Sequence, residues 1–222
     1  MKTLLINTLA SVITFNAAIA ANQDDLVRLY EEEILAHDLY VELGKTHPEI
    51  RPFKNIPHSE ARHREAMEGI LKAAGVALPD PKNGRKFVTP GLDRTYKRWL
   101  KEGKESSAAA CRVGVRLEEH DIMDLRKASV DFPAYKDTLK QLEWASGNHL
   151  RAFHRNLVAR NGDYSAELMD DAELTRLLGN SGTGPQGAGC GTQSADKDES
   201  VRGTQGNGPL RQRRRGQANP GR

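Results

Sequence analysis

Four stretches of this chain repeat apolar residues at alternating steps of three and four, and this pattern constrains the fold more than any other feature. The repeats run over about residues 24–44, 59–75, 107–129 and 133–161. Such steps place the apolar side chains on one face of an α-helix, and four such faces are buried when the helices pack together. The sequence therefore predicts an all-α protein built on a four-helix bundle.

The connections between the predicted helices indicate their order in the bundle. Only a few residues around 131–133 join the third and fourth helices, which are therefore expected to be antiparallel neighbours. Residues 76–105 separate the second and third helices and contain a predicted short helix with an apolar face of Leu92, Tyr96, Trp99 and Leu100. A long crossover of this kind is needed when the second and third helices run in the same direction. A last short helix, over 165–178, is expected to pack on the outside.

The two ends of the chain have compositions unlike the middle. Residues 1–20 combine Lys2, a short apolar run and the small-x-small pattern of Ala18 and Ala20, which predicts a secretory signal peptide and a mature chain that begins at Ala21. An uncleaved membrane anchor is the alternative. Residues 179–222 are rich in Gly, Ser, Gln, Asn and Arg and are predicted to be a disordered tail. One domain, residues 21–178, remains between them.

The tail carries the positive charge of the protein. The formal net charge is +3, yet residues 21–178 are slightly acidic and the tail is basic, with a cluster formed by Arg211 and Arg213–Arg215. A basic segment of this kind attracts anionic partners. Because an exported protein rarely meets nucleic acid, an anionic cell-surface polymer is the expected partner; a merely tolerated or solubilising extension is the alternative.

Signatures of several other protein classes are absent from the sequence. It has no internal repeat, no Gly-rich phosphate loop, no nucleophile elbow and no Cys-x-x-Cys pair. Its two cysteines do not make a disulfide framework. Cys111 falls on an apolar helix face and is expected in the core, whereas Cys190 lies in the tail.

Polar residues interrupt all four apolar stripes at mid-length. Two of them form Glu-x-x-His on the second helix, and the residues concerned are Glu33, Glu60, His63, Glu118, Asp121, Ser146 and His149. Residues three apart share one helix face, so these side chains should project into the bundle together. Unpaired buried carboxylates cost several kcal/mol each, roughly, and two divalent metal ions would neutralise them. Glu33, Glu60, His63, Glu118, Asp121 and His149 are therefore the predicted metal ligands.

Alternatives to this ligand set remain open at the level of sequence. A polar network satisfied by hydrogen bonds is the main one, and a charged run such as residues 31–33 is commonly a solvated face. Glu32 or Glu119 could replace its neighbour if its helix were rotated. His37 borders a stripe, and the remaining histidines fall off the stripes and are expected at the surface; these are His47, His58, His120 and His154.

The segments EEEILAHDLY (31–40), FKNIPHSEARH (53–63), RLEEHDIMDL (116–125) and ASGNHLRAF (145–153) resemble an uncharacterised ferritin-like family of bacteria and archaea, a domain of unknown function. The likeness covers about residues 24–178, and Glu-x-x-His with a Glu seven residues before Tyr40 is similar to ferritins and rubrerythrins. The resemblance implies that Tyr40 lies near a dimetal centre and that five of the predicted ligands match family ligands, namely Glu33, Glu60, His63, Glu118 and His149. This sequence departs from the family pattern at Ser146, where the wider superfamily has Glu. Asp121 is the carboxylate that could replace that missing ligand.

The expected function follows from this ligand chemistry. Mixed carboxylate and imidazole ligands suit Fe or Mn, so the cofactors are expected to be two divalent ions that support redox chemistry on dioxygen, peroxide or ferrous iron, of the ferroxidase or peroxidase type. Tyr40 is the candidate catalytic residue, as a hydrogen-bond or electron donor. The alternatives are a non-catalytic periplasmic metal-binding or sensing bundle, and a metal-free scaffold whose tail binds surfaces. A homo-oligomer is compatible with all three.

Overall fold

The computed structural model describes residues 3–179, with side chains from residue 23, and within this range the protein is helical without any strand. Helices α1 and α2 are followed by a long connection that contains α3, and then by α4, α5 and α6. Their bounds are Thr3–Thr46 for α1, Arg51–Ala73 for α2, Leu92–Gly103 for α3, Ser107–Asp131 for α4, Lys136–Val158 for α5 and Asp171–Gly179 for α6. The all-α prediction is thus confirmed. Tail residues 180–222, including Cys190, lie outside the described range.

Helix α1 begins at Thr3, before its predicted start near residue 24, and proline explains the different starts of two other helices. Helix α2 begins at Arg51 rather than near Ser59, because Pro52 occupies its first turn, where a missing N–H costs nothing, and Pro57 is accommodated inside the helix. Helix α5 begins at Lys136 because Pro133–Tyr135 form a separate 3₁₀ turn. Ser106 is the N-cap of α4, and its hydroxyl oxygen accepts a hydrogen bond of 3.0 Å from the Ala109 N–H.

The helices pack in two principal pairs, α1 with α2 and α4 with α5, and α1 also contacts α4 while α2 contacts α5. Gly114 lets α4 and α5 approach closely, since a Cβ at this position would lie only 2.5 Å from the Phe153 ring. Cys111 is fully buried, as predicted, and burial raises its thiol pKa to about 11. No helix in the described part of the chain is long and apolar enough to cross a membrane.

Two buried carboxylates fix the long connections to the helices. Glu31 of α1 accepts hydrogen bonds from the N–H groups of Val88 (2.7 Å) and Thr89 (2.8 Å), in the segment before α3. Glu119 of α4 accepts from the N–H groups of residues 167–169, at 2.7–3.0 Å, and from the Tyr164 hydroxyl at 2.5 Å. Since these backbone groups are bonded to Glu119, residues 165–169 stay outside the last helix, which begins at Asp171 rather than at the predicted Ser165.

Replacing Glu119 with alanine should therefore release the segment between α5 and α6. Three N–H groups would lose their acceptor, so we expect the free energy of unfolding to fall by about 2–3 kcal/mol. Burial would raise the pKa of Glu119, but the backbone N–H and Tyr164 hydrogen bonds outweigh it and lower the pKa below 4.5. The stabilisation by Glu119 is therefore full above pH 4.5 and is lost as the pH falls through the lower folded pKa.

Urea unfolding of the Glu119→Ala variant at neutral pH and at pH 3 would measure both effects. Glu65 is an exposed glutamate on α2, and Glu65→Ala is the matched control, with an expected change within about 0.5 kcal/mol. Equal stabilities of the Glu119→Ala and Glu65→Ala variants at neutral pH would show that Glu119 does not hold the segment.

Candidate metal centre

A band of polar side chains crosses the apolar core at mid-length. The core residues of α1, α2, α4 and α5 fall into two clusters, one around Tyr40 and Phe153 and the other around Met67 and Leu139. Where one cluster gives way to the other along each helix, the buried residues are polar: Glu33, Glu60, His63, Glu118, Asp121, Ser146 and His149. All six ligands predicted from the sequence are thus buried, and they lie in the same band.

Glu60 is at the centre of this band and faces both imidazoles. Its Oε2 lies 2.9 Å from His63 Nδ1, and its Oε1 lies 2.9 Å from His149 Nδ1. The two imidazole rings are stacked, with centroids 5.3 Å apart. One carboxylate therefore connects a histidine of α2 with a histidine of α5.

Each imidazole also faces a second carboxylate. Glu33 Oε2 of α1 lies 3.4 Å from His63 Nδ1, and Glu118 Oε2 of α4 lies 3.5 Å from His149 Nδ1. The result is two similar half-sites that share Glu60. Each half-site consists of one histidine, one outer glutamate and one oxygen of Glu60.

Several polar atoms at the centre of the band have no hydrogen-bond partner. They are Glu33 Oε1, Glu60 Oε1, His63 Nδ1 and His149 Nδ1. His149 Nδ1 and Glu60 Oε1 lie at hydrogen-bond distance, but not in hydrogen-bond directions, since neither is satisfied. Buried polar atoms without partners are rare and costly, and imidazole nitrogens that face carboxylate oxygens can act with them as metal ligands once the imidazoles lose their protons. Ligand atoms of Glu60, His63 and His149 lie within 4.8 Å of one another, so these residues could hold a metal ion.

Burial and the facing charged groups shift the pKa values of the half-site residues in opposite directions. Burial raises the pKa of Glu33 to about 7, and it would lower those of both histidines. The facing carboxylates outweigh burial, so the His63 pKa is well above 6.5 and the His149 pKa rises to about 10. The same imidazoles outweigh burial at Glu60 and lower its pKa. Without metal the band therefore retains protons, and metal binding must release them.

Tyr40, Asp121 and Ser146 border the half-sites. The Tyr40 hydroxyl donates a hydrogen bond of 2.7 Å to Glu118 Oε1, on the side of the carboxylate that does not face His149. Ser146 Oγ lies 2.5 Å from Asp121 Oδ2, and burial together with the charges of Glu33 and Glu118 raises the Asp121 pKa well above 3.8. A carboxylate of α4 therefore lies beside Ser146 of α5, which itself has no carboxylate.

The alternative residues named from the sequence are placed elsewhere. Glu119 binds the segment after α5, and Glu32 forms an ion pair with Arg28, so neither replaces its neighbour in the band. His47 is buried, contrary to its predicted surface position, because its Nε2 lies 2.8 Å from the Gly103 carbonyl oxygen. His58 is exposed, as predicted, and His37 pairs with Asp38.

Two buried polar side chains were missed by the sequence reasoning. Glu31 is considered only as part of a run that is commonly solvated, yet it is 1% exposed, and Trp99 is predicted only as an apolar residue, yet its Nε1 is buried without a hydrogen-bond partner. The hydrogen bonds of Glu31, and the lack of one at Trp99 Nε1, depend on the paths of loops, which helical periodicity does not predict. The available signal was the four-residue spacing from Glu31 to Leu35, an apolar residue on the same face of α1.

The fold and the band define a helical protein with a histidine and glutamate cluster that could hold a metal ion. Residues 22–180 match the family model described as "Uncharacterized protein domain (DUF2202)", and the chain belongs to this family. The uncharacterized protein MJ0754 of Methanocaldococcus jannaschii is 30% identical over 164 residues, which cover 72% of this chain and 87% of that protein. The crystal structure of the hypothetical protein MJ0754 from Methanococcus jannaschii superposes with a TM-score of 0.66 and covers 72% of this chain and 92% of that one. The resemblance to an uncharacterised family is thereby confirmed.

Proposed function

We propose that this protein is a ferritin-like dimetal protein whose two metal ions share Glu60. The observation that carries the proposal is the pair of half-sites, in which each oxygen of one buried carboxylate faces a different imidazole at 2.9 Å. Glu33 and His63 would hold one ion, and Glu118 and His149 the other. Asp121 supplies the fourth carboxylate, because Ser146 stands where a glutamate would be expected. The site would then have four carboxylates and two histidines, the ligand set of dimetal bundles.

The helix contacts support a ferritin-like bundle. The pairs α1 with α2 and α4 with α5 are closed into a ring by the α1–α4 and α2–α5 contacts. The connection between α2 and α4 includes α3 and is long enough for the two helices to run in the same direction. Ligands on all four helices of the ring would then meet at its centre.

The donor set favours Fe or Mn among the divalent metals. Carboxylate and imidazole ligands without thiolate suit both ions, and both change oxidation state. A bound pair would supply redox chemistry to dioxygen, peroxide or ferrous iron. Tyr40 orients Glu118 through its hydrogen bond, so this tyrosine is in direct contact with a proposed ligand.

Oxidation of ferrous iron by dioxygen or peroxide in the metal-loaded protein would test the redox proposal. We expect turnover above the protein-free rate, and we expect Tyr40→Phe to reduce the rate by about tenfold to a hundredfold, as removal of a hydrogen bond to a ligand does. The variant should keep its metal, because all six ligands remain. Metal-loaded wild-type protein that oxidises iron no faster than buffer would instead indicate a metal-binding protein without turnover.

Export is a further part of the proposal, and it places the metal centre outside the cytoplasm. It rests on the sequence pattern of Lys2, Ala18 and Ala20, which favours cleavage before Ala21. N-terminal sequencing of the protein from its native host should therefore begin at Ala21. Recovery of the intact amino terminus from the cytoplasmic fraction would overturn this part alone.

A further inference from the structure

The long connection between α2 and α4 is basic, although the rest of the domain is acidic. Residues 76–105 carry eight basic and four acidic side chains, whereas the other residues of 21–178 carry seventeen basic and twenty-three acidic ones. Five of the eight basic residues lie on α3 and its C-cap, within an arc of about 120° at 3.6 residues per turn. We call these five residues, which share one face, the α3 cation row: Arg94, Lys97, Arg98, Lys101 and Lys104.

The α3 cation row is exposed to solvent and is not neutralised by neighbouring acidic groups. None of its five members forms an ion pair within the part of the chain that the structure describes. The two acidic residues of α3 have other partners, since Asp93 pairs with Arg85 and Glu102 pairs with Arg116 of α4. Glu105, the residue after the C-cap, is exposed at one end of the row. The row therefore presents a continuous positive surface.

Cations placed this closely repel one another. Five pairs within the row are three or four residues apart, and like charges at this spacing destabilise a helix. Arg94 also adds a positive charge to the first turn, where the helix dipole disfavours it. By contrast, Lys127 of α4 has the opposite charge of Asp131 one turn away. The row thus lowers the stability of α3, and an anionic partner would relieve the repulsion.

Contacts on the opposite face of α3 fix the position of the row. Leu92 and Trp99 are buried, and Gly103 lies so close to α1 that a Cβ there would be 2.7 Å from the Leu43 side chain. The Glu102–Arg116 ion pair, at 2.8 Å, joins α3 to α4. A preformed surface loses little free energy to ordering when it binds. Because Leu92 and Trp99 face inward, α3 lacks the exposed apolar face of a helix that inserts into a bilayer.

We propose that the α3 cation row binds a linear acidic polysaccharide, whose acidic groups lie along the row. The helix rises about 15 Å from Arg94 to Lys104, and its outer surface is convex, so one extended chain can contact all five cations. The acidic remainder of the domain repels the same polymer and directs it to the row. The inference rests on the proposed function in one respect, that export brings the protein to such polymers rather than to nucleic acid.

Two pairs of exposed lysines provide a matched comparison. Lys97 and Lys101 are four residues apart in the row, and Lys136 and Lys140 have the same spacing on α5. The variants Lys97→Gln/Lys101→Gln and Lys136→Gln/Lys140→Gln therefore change the net charge equally. Both are made in the full chain with the basic cluster of the tail neutralised, so that it does not contribute to binding, by Arg211→Gln, Arg213→Gln, Arg214→Gln and Arg215→Gln.

Calorimetry with polygalacturonate as the probe measures the contribution of the row. A cation near an anionic surface contributes about fivefold to affinity, so Lys97→Gln/Lys101→Gln should bind about 25-fold more weakly at low salt. Lys136→Gln/Lys140→Gln should bind less than about twofold more weakly. The difference should shrink at 1 M salt, where the screening length is about 3 Å. The Tm of Lys97→Gln/Lys101→Gln should not fall, because four of the five close pairs are removed.

Equal losses of affinity in the two double variants would overturn the inference, since binding would then follow net charge alone. Tighter binding to duplex DNA, or to vesicles of equal parts phosphatidylglycerol and phosphatidylcholine, would overturn the polysaccharide as the partner. The proposed function is tested separately, by metal content and by the amino terminus of the native protein. A metal-loaded, exported protein that does not distinguish the two variants refutes the row alone, and a metal-free protein that distinguishes them refutes only the metal centre.

Discussion

Replacing Glu60 and His63 together with alanine is expected to abolish metal binding, from about two ions per chain to almost none. Glu60 is shared by both half-sites, so its loss removes one ligand from each ion, while the loss of His63 removes the nitrogen of the first. Metal analysis after dialysis against a weak chelator would measure the change. The single variant Glu60→Ala should weaken both ions, whereas His63→Ala should weaken mainly the one held with Glu33.

The same helix offers a matched control for this experiment. His58 and Glu65 are a histidine and a glutamate of α2 that are both exposed, so the double variant His58→Ala/Glu65→Ala removes the same two residue types outside the band. Its metal content should equal that of the wild type. If the two double variants bind equal amounts of metal, the ions are held elsewhere and the half-sites are not a metal centre.

Metal should also raise the thermal stability of the protein strongly. A ligand that binds only the folded state stabilises it by about 4 kcal/mol at a thousand times its dissociation constant. For a domain of this size that corresponds to a rise in Tm of roughly 8–16 °C per site occupied. Differential scanning calorimetry of apo and reconstituted protein would measure it, and excess chelator should reverse it.

The Glu60→Ala/His63→Ala variant separates this effect from changes in packing. Alanine leaves a cavity and takes the imidazole away from buried Glu33, so the variant without metal should unfold below the Tm of the apo wild type. The quantity to compare is therefore the change in Tm when metal is added to each protein. Adding metal should then leave its Tm unchanged, while the His58→Ala/Glu65→Ala control should respond as the wild type does. A wild-type Tm that does not move on addition of Fe, Mn or Zn would rule out a metal site in the folded core.

The ligand candidates could be predicted because helical periodicity fixes which residues share a face. Glu60 and His63 are three apart on an apolar stripe, and so are Glu118 and Asp121, which identified the band without knowledge of the packing. The choice of Glu33 over Glu32, and of Glu118 over Glu119, depends on helix rotation, which the sequence leaves open. In the structure Glu32 pairs with Arg28 and Glu119 binds the segment after α5.

The features outside the stripes could not be predicted in the same way. The burial of Glu31, Glu119 and His47 depends on contacts with loop or helix-end backbone: Val88 and Thr89, residues 167–169, and the Gly103 carbonyl. Such contacts are set by the paths of irregular segments, which follow no period in the sequence. The cavity between α1, α3 and α4 could not be predicted for the same reason, since its walls come from three helices and a loop.

Anomalous scattering from crystals soaked in Mn²⁺ or Fe²⁺ tests the central claim most directly. The shared position of Glu60 leads us to expect two peaks in the band, one contacting Glu33, His63 and Glu60, and the other contacting Glu118, His149 and Glu60. Asp121 should lie in contact with at least one of them. Peaks found only at surface carboxylates, with none within contact distance of Glu60, His63 or His149, would contradict the dimetal centre.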